Sequence, residues 1–257
     1  MTETKKILAK EKLSPEGIKH LEELGFQVDL GLEWDSDELL RRIPEYHGLI
    51  IRSATKVTAA VIQAGENLQV VGRAGVGVDN VDVKEATKRG VIIVNAPQSN
   101  VLSAAEHTVA LIMACARNIP QAYADLKSGR WEKGKWGKNG VELRGKTLGV
   151  AGLGRIGQEV AQRARPFGLR IVAHDPYISA EVAAGLGVEL LTLDALCETS
   201  DYITLHLPLT AETRHVFNDA RFSRCKAGLR LVNTARGELI DEAALRRAID
   251  SGIVEGA

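Results

Sequence analysis

The chain has 257 residues, of which 33 are Lys or Arg and 33 are Asp or Glu, so its formal net charge at pH 7 is zero. This length suits one large domain or two ordinary ones, and a neutral chain has no general attraction to nucleic acid or to a membrane surface. The N-terminal segment shows no apolar signal region and no apolar run could span a bilayer, which favours a cytoplasmic protein.

Three cysteines are present, and their spacing fits no zinc site, while an odd count argues against a disulfide framework. Cys115 and Cys197 lie in apolar runs and are expected to be buried thiols. Cys225 lies between Arg224 and Lys226 and is expected to be an unreactive surface thiol.

Apolar stretches of strand length alternate with helical patterns over the first hundred residues. Repeated alternation of this kind predicts a parallel sheet with helices on both faces. The 97–100 segment interrupts the pattern, and we place a boundary there between a first domain at 1–98 and a second domain at 99–257. Strands are predicted at 7–9, 26–30, 48–51, 69–71 and 91–94, and helices at 15–25, 35–43, 57–64 and 81–89.

The second half opens with a long helical pattern at 102–116, for which Asn100 or Ser103 is a plausible N-cap. Residues 129–140 are rich in Gly and Lys, which predicts an exposed loop with Trp131 and Trp136 packed back on the body. A second alternating series then follows. Its strands are predicted at 147–151, 170–174, 202–205 and 229–232, and its helices at 155–167, 179–185, 193–198, 219–224 and 241–251.

A glycine-rich loop joins the strand at 147–151 to the next helix. Gly152 permits the tight turn, Gly154 lets the backbone approach a pyrophosphate, and Gly157 lets helix and strand pack closely. Asp175 follows the next strand, where a carboxylate accepts hydrogen bonds from ribose hydroxyls and repels a 2′-phosphate. The pattern predicts a Rossmann unit that binds NAD, with Arg155 facing the pyrophosphate at the helix N-terminus.

A basic residue follows a later strand. That strand ends at Asn233, and Arg236 lies just beyond it. Ligands of open α/β sheets bind at the carboxyl ends of the strands, and a fixed guanidinium there can hold a carboxylate by two parallel hydrogen bonds.

With these motifs the chain resembles the D-isomer-specific 2-hydroxyacid dehydrogenases. The matching stretches are 51–58, 71–80, 103–108, the glycine-rich loop and 232–237. The resemblance implies an α/β fold of two doubly wound parallel-sheet domains, a flavodoxin-like substrate domain and a Rossmann NAD domain. It also implies NAD as cofactor, no metal, and a homo-oligomer, either dimer or tetramer. The first two stretches favour members that oxidise D-3-phosphoglycerate to 3-phosphohydroxypyruvate, the first step of serine biosynthesis.

The resemblance implies roles for individual residues. Arg236 would be catalytic, because it would orient the substrate's carboxylate and carbonyl. Val76 stands where close relatives often have Thr, and Thr234 replaces a common Cys. The implied substrate contacts are Arg52, Ser53, Arg73, Ala74, Gly75, Asn100 and Arg236. The implied cofactor contacts are Val76, Gly152, Gly154, Arg155, Ile156, Gly157, Asp175, His206, Leu207, Pro208, Thr213, Thr234, Ala235 and Arg236.

In the family that the chain resembles, the acid/base His and its assisting Glu lie downstream of the arginine, beyond Ala257. We therefore expect a C-terminally truncated chain, in which the second sheet lacks its last strands and the substrate-binding (lid) domain at 1–98 is incomplete. It should turn over poorly, because losing a general base costs about 10²–10⁴-fold in rate.

Two alternatives remain open. One is activity toward another D-2-hydroxyacid, such as glycerate, glyoxylate or hydroxypyruvate, although Arg52 and Arg73 suit a phosphorylated substrate. The other is an NAD-sensing, corepressor-like binding protein, since a Rossmann unit does not itself define a reaction.

Overall fold

The computed structural model describes residues 4–257, except for the side chains of residues 138 and 139. The first three residues of the N-terminal segment discussed above lie outside the described residues. The chain forms two compact units, Met1–Asn100 and Val101–Ala257. In the described part of the chain, no helix is long and apolar enough to cross a membrane.

The first unit is built on five parallel strands in the order β2-β1-β3-β4-β5, which is the flavodoxin-like order. Side-chain caps begin its helices, since Ser14, Asp35, Thr58 and Asp82 each accept a hydrogen bond from a first-turn N–H. The elements in chain order are β1 (Lys6–Ala9), α1 (Pro15–Glu23), β2 (Gln27–Leu30), α2 (Ser36–Arg42), β3 (Gly48–Ile51), α3 (Ala59–Ala64), β4 (Val70–Arg73), α4 (Val83–Arg89) and β5 (Ile92–Asn95).

The two faces of this sheet are covered to different extents. Leu8, Leu49 and Val71 point into a core closed by the helices on one face. On the other face α1 buries no residue, and Ile92 and Val94 of edge strand β5 are 64% and 51% exposed. The prediction that helices cover both faces is therefore wrong at the β5 edge.

The second unit is built on six parallel strands in the order β11-β10-β9-β6-β7-β8, which is the Rossmann order 3-2-1-4-5-6 read from the other end. The predicted fold class, α/β with two doubly wound parallel sheets, is confirmed. The helices are α5 (Val101–Arg117), α6 (Ile119–Lys127), α7 (Lys133–Asn139), α8 (Arg155–Ala164), α9 (Ala180–Gly185), α10 (Leu193–Thr199), α11 (Asp219–Phe222) and α12 (Glu242–Asp250). The strands are β6 (Thr147–Ala151), β7 (Arg170–His174), β8 (Glu189–Leu190), β9 (Tyr202–Leu205), β10 (Leu229–Asn233) and β11 (Val254–Gly256).

The segment predicted as a loop at 129–140 contains a helix, α7. The indole N–H of Trp136 donates to Asp125 Oδ2 at 2.8 Å, and Arg130 also binds this carboxylate. These tertiary contacts outweigh the low helix propensity of the glycines in the segment. Trp131 is 77% exposed, so the expectation that it packs back on the body is wrong. Ser103 lies inside α5 and is not its N-cap.

The end of the chain also differs from expectation. Gly252, with φ +77°, follows α12, and the chain then forms β11 parallel to β10. Val254 pairs with Leu229 and is buried. The prediction that the second sheet lacks its last strands overlooked these three residues, because an apolar residue directly after a helix-ending glycine is enough to start a short edge strand.

Candidate functional site

The carboxyl edge of the second sheet has a topological switch point at β6. The chain continues from β6 to β7 on one side, and β9 joins β6 on the other. Ala151, the last residue of β6, pairs with both His174 and Leu205. The residues that follow these three strands therefore start side by side, at the position where such sheets bind ligands.

The glycine turn after β6 leaves room for a ligand on one side only. Gly152 has φ +95°, and a Cβ there would lie 2.7 Å from the carbonyl of His206. A Cβ on Gly157 would overlap the carbonyl oxygen of Gly152, which keeps α8 close to the turn. Gly154 is exposed and is the N-cap of α8, and among the described residues no heavy atom beyond its chain neighbours lies within 4 Å of a Cβ position. The open helix N-terminus fits the pyrophosphate of a dinucleotide.

Asp175 connects this turn to the end of β7. Its Oδ2 accepts from Leu153 N at 2.8 Å, and its Oδ1 accepts from Tyr177 N at 2.9 Å. Because an ionised carboxylate has about four acceptor sites, acceptor capacity remains for the hydroxyls of a ribose. The half-buried carboxylate is thus held in place by the backbone beside the glycine turn.

The segment after β9 carries a neutral imidazole. Burial lowers the pKa of His206 to about 4, so the ring is unprotonated at neutral pH. Its Nε2 lies 3.0 Å from Thr204 Oγ1, and its backbone N–H donates to Ala151 O at 2.7 Å. Thr213 donates its hydroxyl to Pro208 O at 2.6 Å, which closes the turn that follows Leu207.

The turn that carries Arg236 is fixed by a side chain at the end of β10. Asn233 donates from Nδ2 to Arg236 O at 2.8 Å and accepts from Ala235 N at 3.0 Å. The Arg236 guanidinium, which is half-buried, donates to Ala235 O at 2.9 Å. The short loop therefore presents Arg236 in a defined position at the same sheet edge as the glycine turn.

Thr234 forms a hydrogen bond with a residue to which the sequence analysis assigned no role in the site. Thr108 of α5 lies 2.8 Å from Thr234, oxygen to oxygen, and its own hydroxyl donates to Ala104 O at 2.8 Å. Thr108 therefore accepts the hydroxyl proton of Thr234, which leaves Thr234 with acceptor capacity only. This buried threonine belongs to the 103–108 stretch quoted above.

The remaining candidates lie in the first unit. Arg52 and Ser53 are exposed after β3, and Arg73 pairs with Ile51 at the end of the neighbouring strand. The Arg73 guanidinium lies where a Cβ on Gly75 would be, so any larger residue at 75 would require this side chain to move. Within residues 4–257, the buried Arg73 Nε has no hydrogen-bond partner.

The last three candidates of this unit are described by their backbone hydrogen bonds and their exposure. Ala74 N donates to Ile51 O at 2.8 Å. Val76 is half-buried, and its carbonyl accepts from Asn95 Nδ2 at 2.6 Å. Asn100 is exposed at the end of the unit. No group of three or more His, Cys, Asp or Glu is placed to hold a metal ion in the part of the chain that the structure describes.

Comparison with known proteins places this geometry in a family. Residues 109–257 match the family described as D-isomer specific 2-hydroxyacid dehydrogenase, NAD binding domain. The chain is 51% identical over 253 residues to D-3-phosphoglycerate dehydrogenase of Rattus norvegicus, which covers 98% of this chain and 47% of the relative. The chain thus spans about half the length of the curated relatives it matches.

Solved structures of similar fold cover nearly all of the chain. The TT0316 protein from Thermus thermophilus has a TM-score of 0.89 and 35% identity, over 98% of this chain and 80% of that chain. An NAD-dependent formate dehydrogenase from Staphylococcus aureus, solved in complex with NAD, has a TM-score of 0.87 and 30% identity, over the same shares of both chains.

Proposed function

Because the chain belongs to the D-isomer specific 2-hydroxyacid dehydrogenases, we propose that it carries the cofactor-binding and substrate-orienting groups of an NAD-dependent D-3-phosphoglycerate dehydrogenase. The complete protein would oxidise D-3-phosphoglycerate to 3-phosphohydroxypyruvate. The observation that carries the proposal is that the open glycine turn, the Asp175 carboxylate and Arg236 all lie at one edge of the same sheet. Curated relatives named D-3-phosphoglycerate dehydrogenase, at 47–51% identity, support the choice of substrate.

The residues of the second unit divide into two roles. The N-terminus of α8 binds the pyrophosphate, and Asp175 accepts hydrogen bonds from ribose hydroxyls and repels a 2′-phosphate, so that NAD is preferred over NADP. When bound, NAD supplies the acceptor for the hydride that leaves C2 of the substrate. Arg236 binds the substrate carboxylate by paired hydrogen bonds and so orients C2 for that transfer.

The first unit would supply the substrate-binding domain, at residues 1–98. Arg52 and Arg73 offer two guanidinium groups at the carboxyl ends of neighbouring strands, which suits a substrate phosphate. The buried, unpartnered Nε of Arg73 among the described residues supports an anionic ligand there. The further substrate contacts in this proposal are Ser53, Ala74, Gly75 and Asn100.

The test uses the complete protein with Arg236→Ala and a matched control, Arg246→Ala, which removes an exposed arginine of α12 that pairs with Asp250. Arg236→Ala should lower kcat/KM for D-3-phosphoglycerate by at least about 10²-fold, because an oriented charge pair to the substrate is lost. The Kd for NADH, measured by fluorescence titration, should change far less, because the N-terminus of α8 and Asp175 still hold the pyrophosphate and the ribose. The control should behave as the parent protein does.

The same assay separates the alternatives. A higher kcat/KM for D-glycerate than for D-3-phosphoglycerate in the parent protein would contradict the proposed substrate. A corepressor-like sensor would bind NADH yet show no turnover with either hydroxyacid, and Arg236→Ala would leave its properties unchanged. Full activity of Arg236→Ala would contradict the assigned role of this arginine.

We also propose that the complete protein is a homo-oligomer, either dimer or tetramer. The α6–α7 region exposes a cluster of large apolar side chains, which is typical of a protein–protein contact. A mass measured in solution that corresponds to one chain would contradict this. The exposed residues are Ile119, Tyr123, Leu126 and Trp131. A cytoplasmic location is proposed as well, since the three free thiols suit a reducing compartment.

A further inference from the structure

The first sheet also has a switch point, between β1 and β3, where a flavodoxin-like sheet binds its ligand. Here the chain places a carboxylate of its own. Glu11, which follows β1, accepts through Oε1 from Arg52 N at 2.8 Å and from Thr55 N at 3.0 Å. Its Oε2 accepts from Ala54 N at 3.3 Å. Three backbone N–H groups of the 52–55 loop thus converge on one internal anion, as they do in anion-binding nests.

A second side chain binds two carbonyl groups of the same loop. Asn80 donates from Nδ2 to Arg52 O at 2.8 Å and to Thr55 O at 2.7 Å. The loop has neither helical nor strand hydrogen bonds, so Glu11 and Asn80 supply the order that secondary structure gives elsewhere. Within residues 4–257, no acceptor binds the backbone N–H of Ser53.

The Glu11 carboxyl group is ionised, as its three N–H donors require. Burial raises the pKa of the Glu11 carboxyl, but the hydrogen bonds from Thr55 and Arg52 outweigh burial and hold the pKa below its usual value. The carboxylate is therefore charged at neutral pH, and its charge is compensated by N–H donors. A phosphate bound nearby meets a loop whose internal anion is already satisfied.

We propose that Glu11 and Asn80 are positioning residues that hold the 52–55 loop in the conformation in which Arg52 and Ser53 bind the phosphate of the substrate. The inference rests on the proposed function for the identity of the substrate. Glu11 binds three of the four backbone N–H groups of the loop, and Asn80 binds two of its carbonyl groups. The exposed Arg52 side chain and the Ser53 hydroxyl and N–H are left for the ligand.

The hold on the loop is tested first without substrate, by amide hydrogen exchange in the unmodified protein. The N–H groups of Arg52 and Thr55 should exchange at least about tenfold more slowly than that of Ser53, although all three lie in the same loop. Ser53 is the internal control. Exchange of Arg52 and Thr55 as fast as that of Ser53 would overturn the proposal, whatever the substrate is.

The link to the substrate is tested with Glu11→Gln in the complete protein, against Glu22→Gln, which removes the same charge from an exposed site on α1. Glu11→Gln should raise KM for D-3-phosphoglycerate about tenfold, as expected when hydrogen bonds to a charged group are lost. The KM for NAD should be unchanged and kcat should stay within about twofold, because ground-state and transition-state binding are lost equally. Glu11→Asp keeps the charge on a shorter side chain, and its KM for D-3-phosphoglycerate should lie between those of the parent protein and Glu11→Gln.

The outcomes separate this inference from the proposed function. Faster exchange at Arg52 and Thr55 in Glu11→Gln, with KM for D-3-phosphoglycerate unchanged, would overturn the positioning role. A parent protein inactive on D-3-phosphoglycerate would contradict the proposed function and the substrate part of this proposal, whereas slow exchange would still support the hold on the loop. If Glu11→Gln does not fold, Asn80→Ala takes its place with the same expected results.

Discussion

The close approach of α8 to the glycine turn gives a prediction whose size follows from the structure. In Gly157→Ala the new Cβ would overlap Gly152 O and lie 3.1 Å from the carbonyl carbon of the same residue and 3.2 Å from Val150 Cγ1. The main obstacle is backbone, so the turn and the helix must separate by about 1 Å. Overpacking of this kind costs about 1–3 kcal/mol, and a domain of this size loses about 2–4 °C in Tm per kcal/mol.

Gly154→Ala is the matched control, because the same atom is added in open space. Gly154 has φ −70° and ψ −166°, a conformation open to alanine. The loss of a glycine N-cap and the lower entropy of the unfolded chain roughly offset each other. Gly154→Ala should keep the parent Tm and weaken NADH binding at least about tenfold, because the added methyl fills the side at which a pyrophosphate approaches.

Differential scanning fluorimetry and NADH fluorescence titration measure the two effects separately. Gly157→Ala should show the loss of Tm, and Gly154→Ala should show the loss of affinity at unchanged Tm. An unchanged Tm in Gly157→Ala would refute the reasoning about close packing. Parent-like NADH affinity in Gly154→Ala would refute the assignment of the open side to the cofactor.

Two further predictions follow from buried groups. Burial lowers the pKa of His206 to about 4, whereas its pKa in an unfolded chain is about 6.5. As pH drops, the unfolded state therefore binds the proton first. The free energy of unfolding should fall by up to ~3 kcal/mol between about pH 6.5 and about pH 4. His206→Gln should flatten the dependence of Tm on pH between 7 and 4.5, and parallel curves for variant and parent would contradict this. The second prediction concerns the thiols. A hydrogen bond from Cys197 lowers the pKa of Cys225. The pKa of Cys197 is raised by the same hydrogen bond, and the pKa of Cys115 is raised by burial. Iodoacetamide should therefore alkylate Cys225 first, as read by peptide mass spectrometry, and earlier labelling of either of the others would contradict it.

The cofactor turn could be predicted from the sequence because its requirements are local. Gly152 needs a positive φ, Gly157 needs a missing Cβ, and Asp175 needs only to follow the next strand. Each requirement acts within one strand–turn–helix unit, so residue type and spacing carry the information. The same holds for helix starts such as Ser14, where the cap bonds the N–H three residues on.

Features set by distant contacts could not be predicted in this way. The helix α7 depends on the bond between Trp136 and Asp125, and a glycine-rich composition gives no sign of it. The expectation that Cys225 is a surface thiol is wrong, because it is half-buried and packs against the core cluster that contains Leu196 and Cys197. The sequence shows Glu11 only as an acid two residues after the first strand, whereas its hydrogen-bond partners lie more than forty residues away.

The switch points of the two sheets bind an anionic ligand in different ways. At the second sheet the Asp175 carboxylate binds Leu153 N of the glycine turn, whereas the N-terminus of α8 after Gly154 has no side-chain cap and suits an anion supplied by a ligand. At the first sheet the corresponding N–H groups are already bound by Glu11. Anion recognition there must therefore depend on side chains such as Arg52, whose guanidinium distinguishes a phosphate from a smaller group by geometry. Substrate choice in this unit should accordingly respond to side-chain substitutions, whereas cofactor binding in the other should respond chiefly to changes at the glycines.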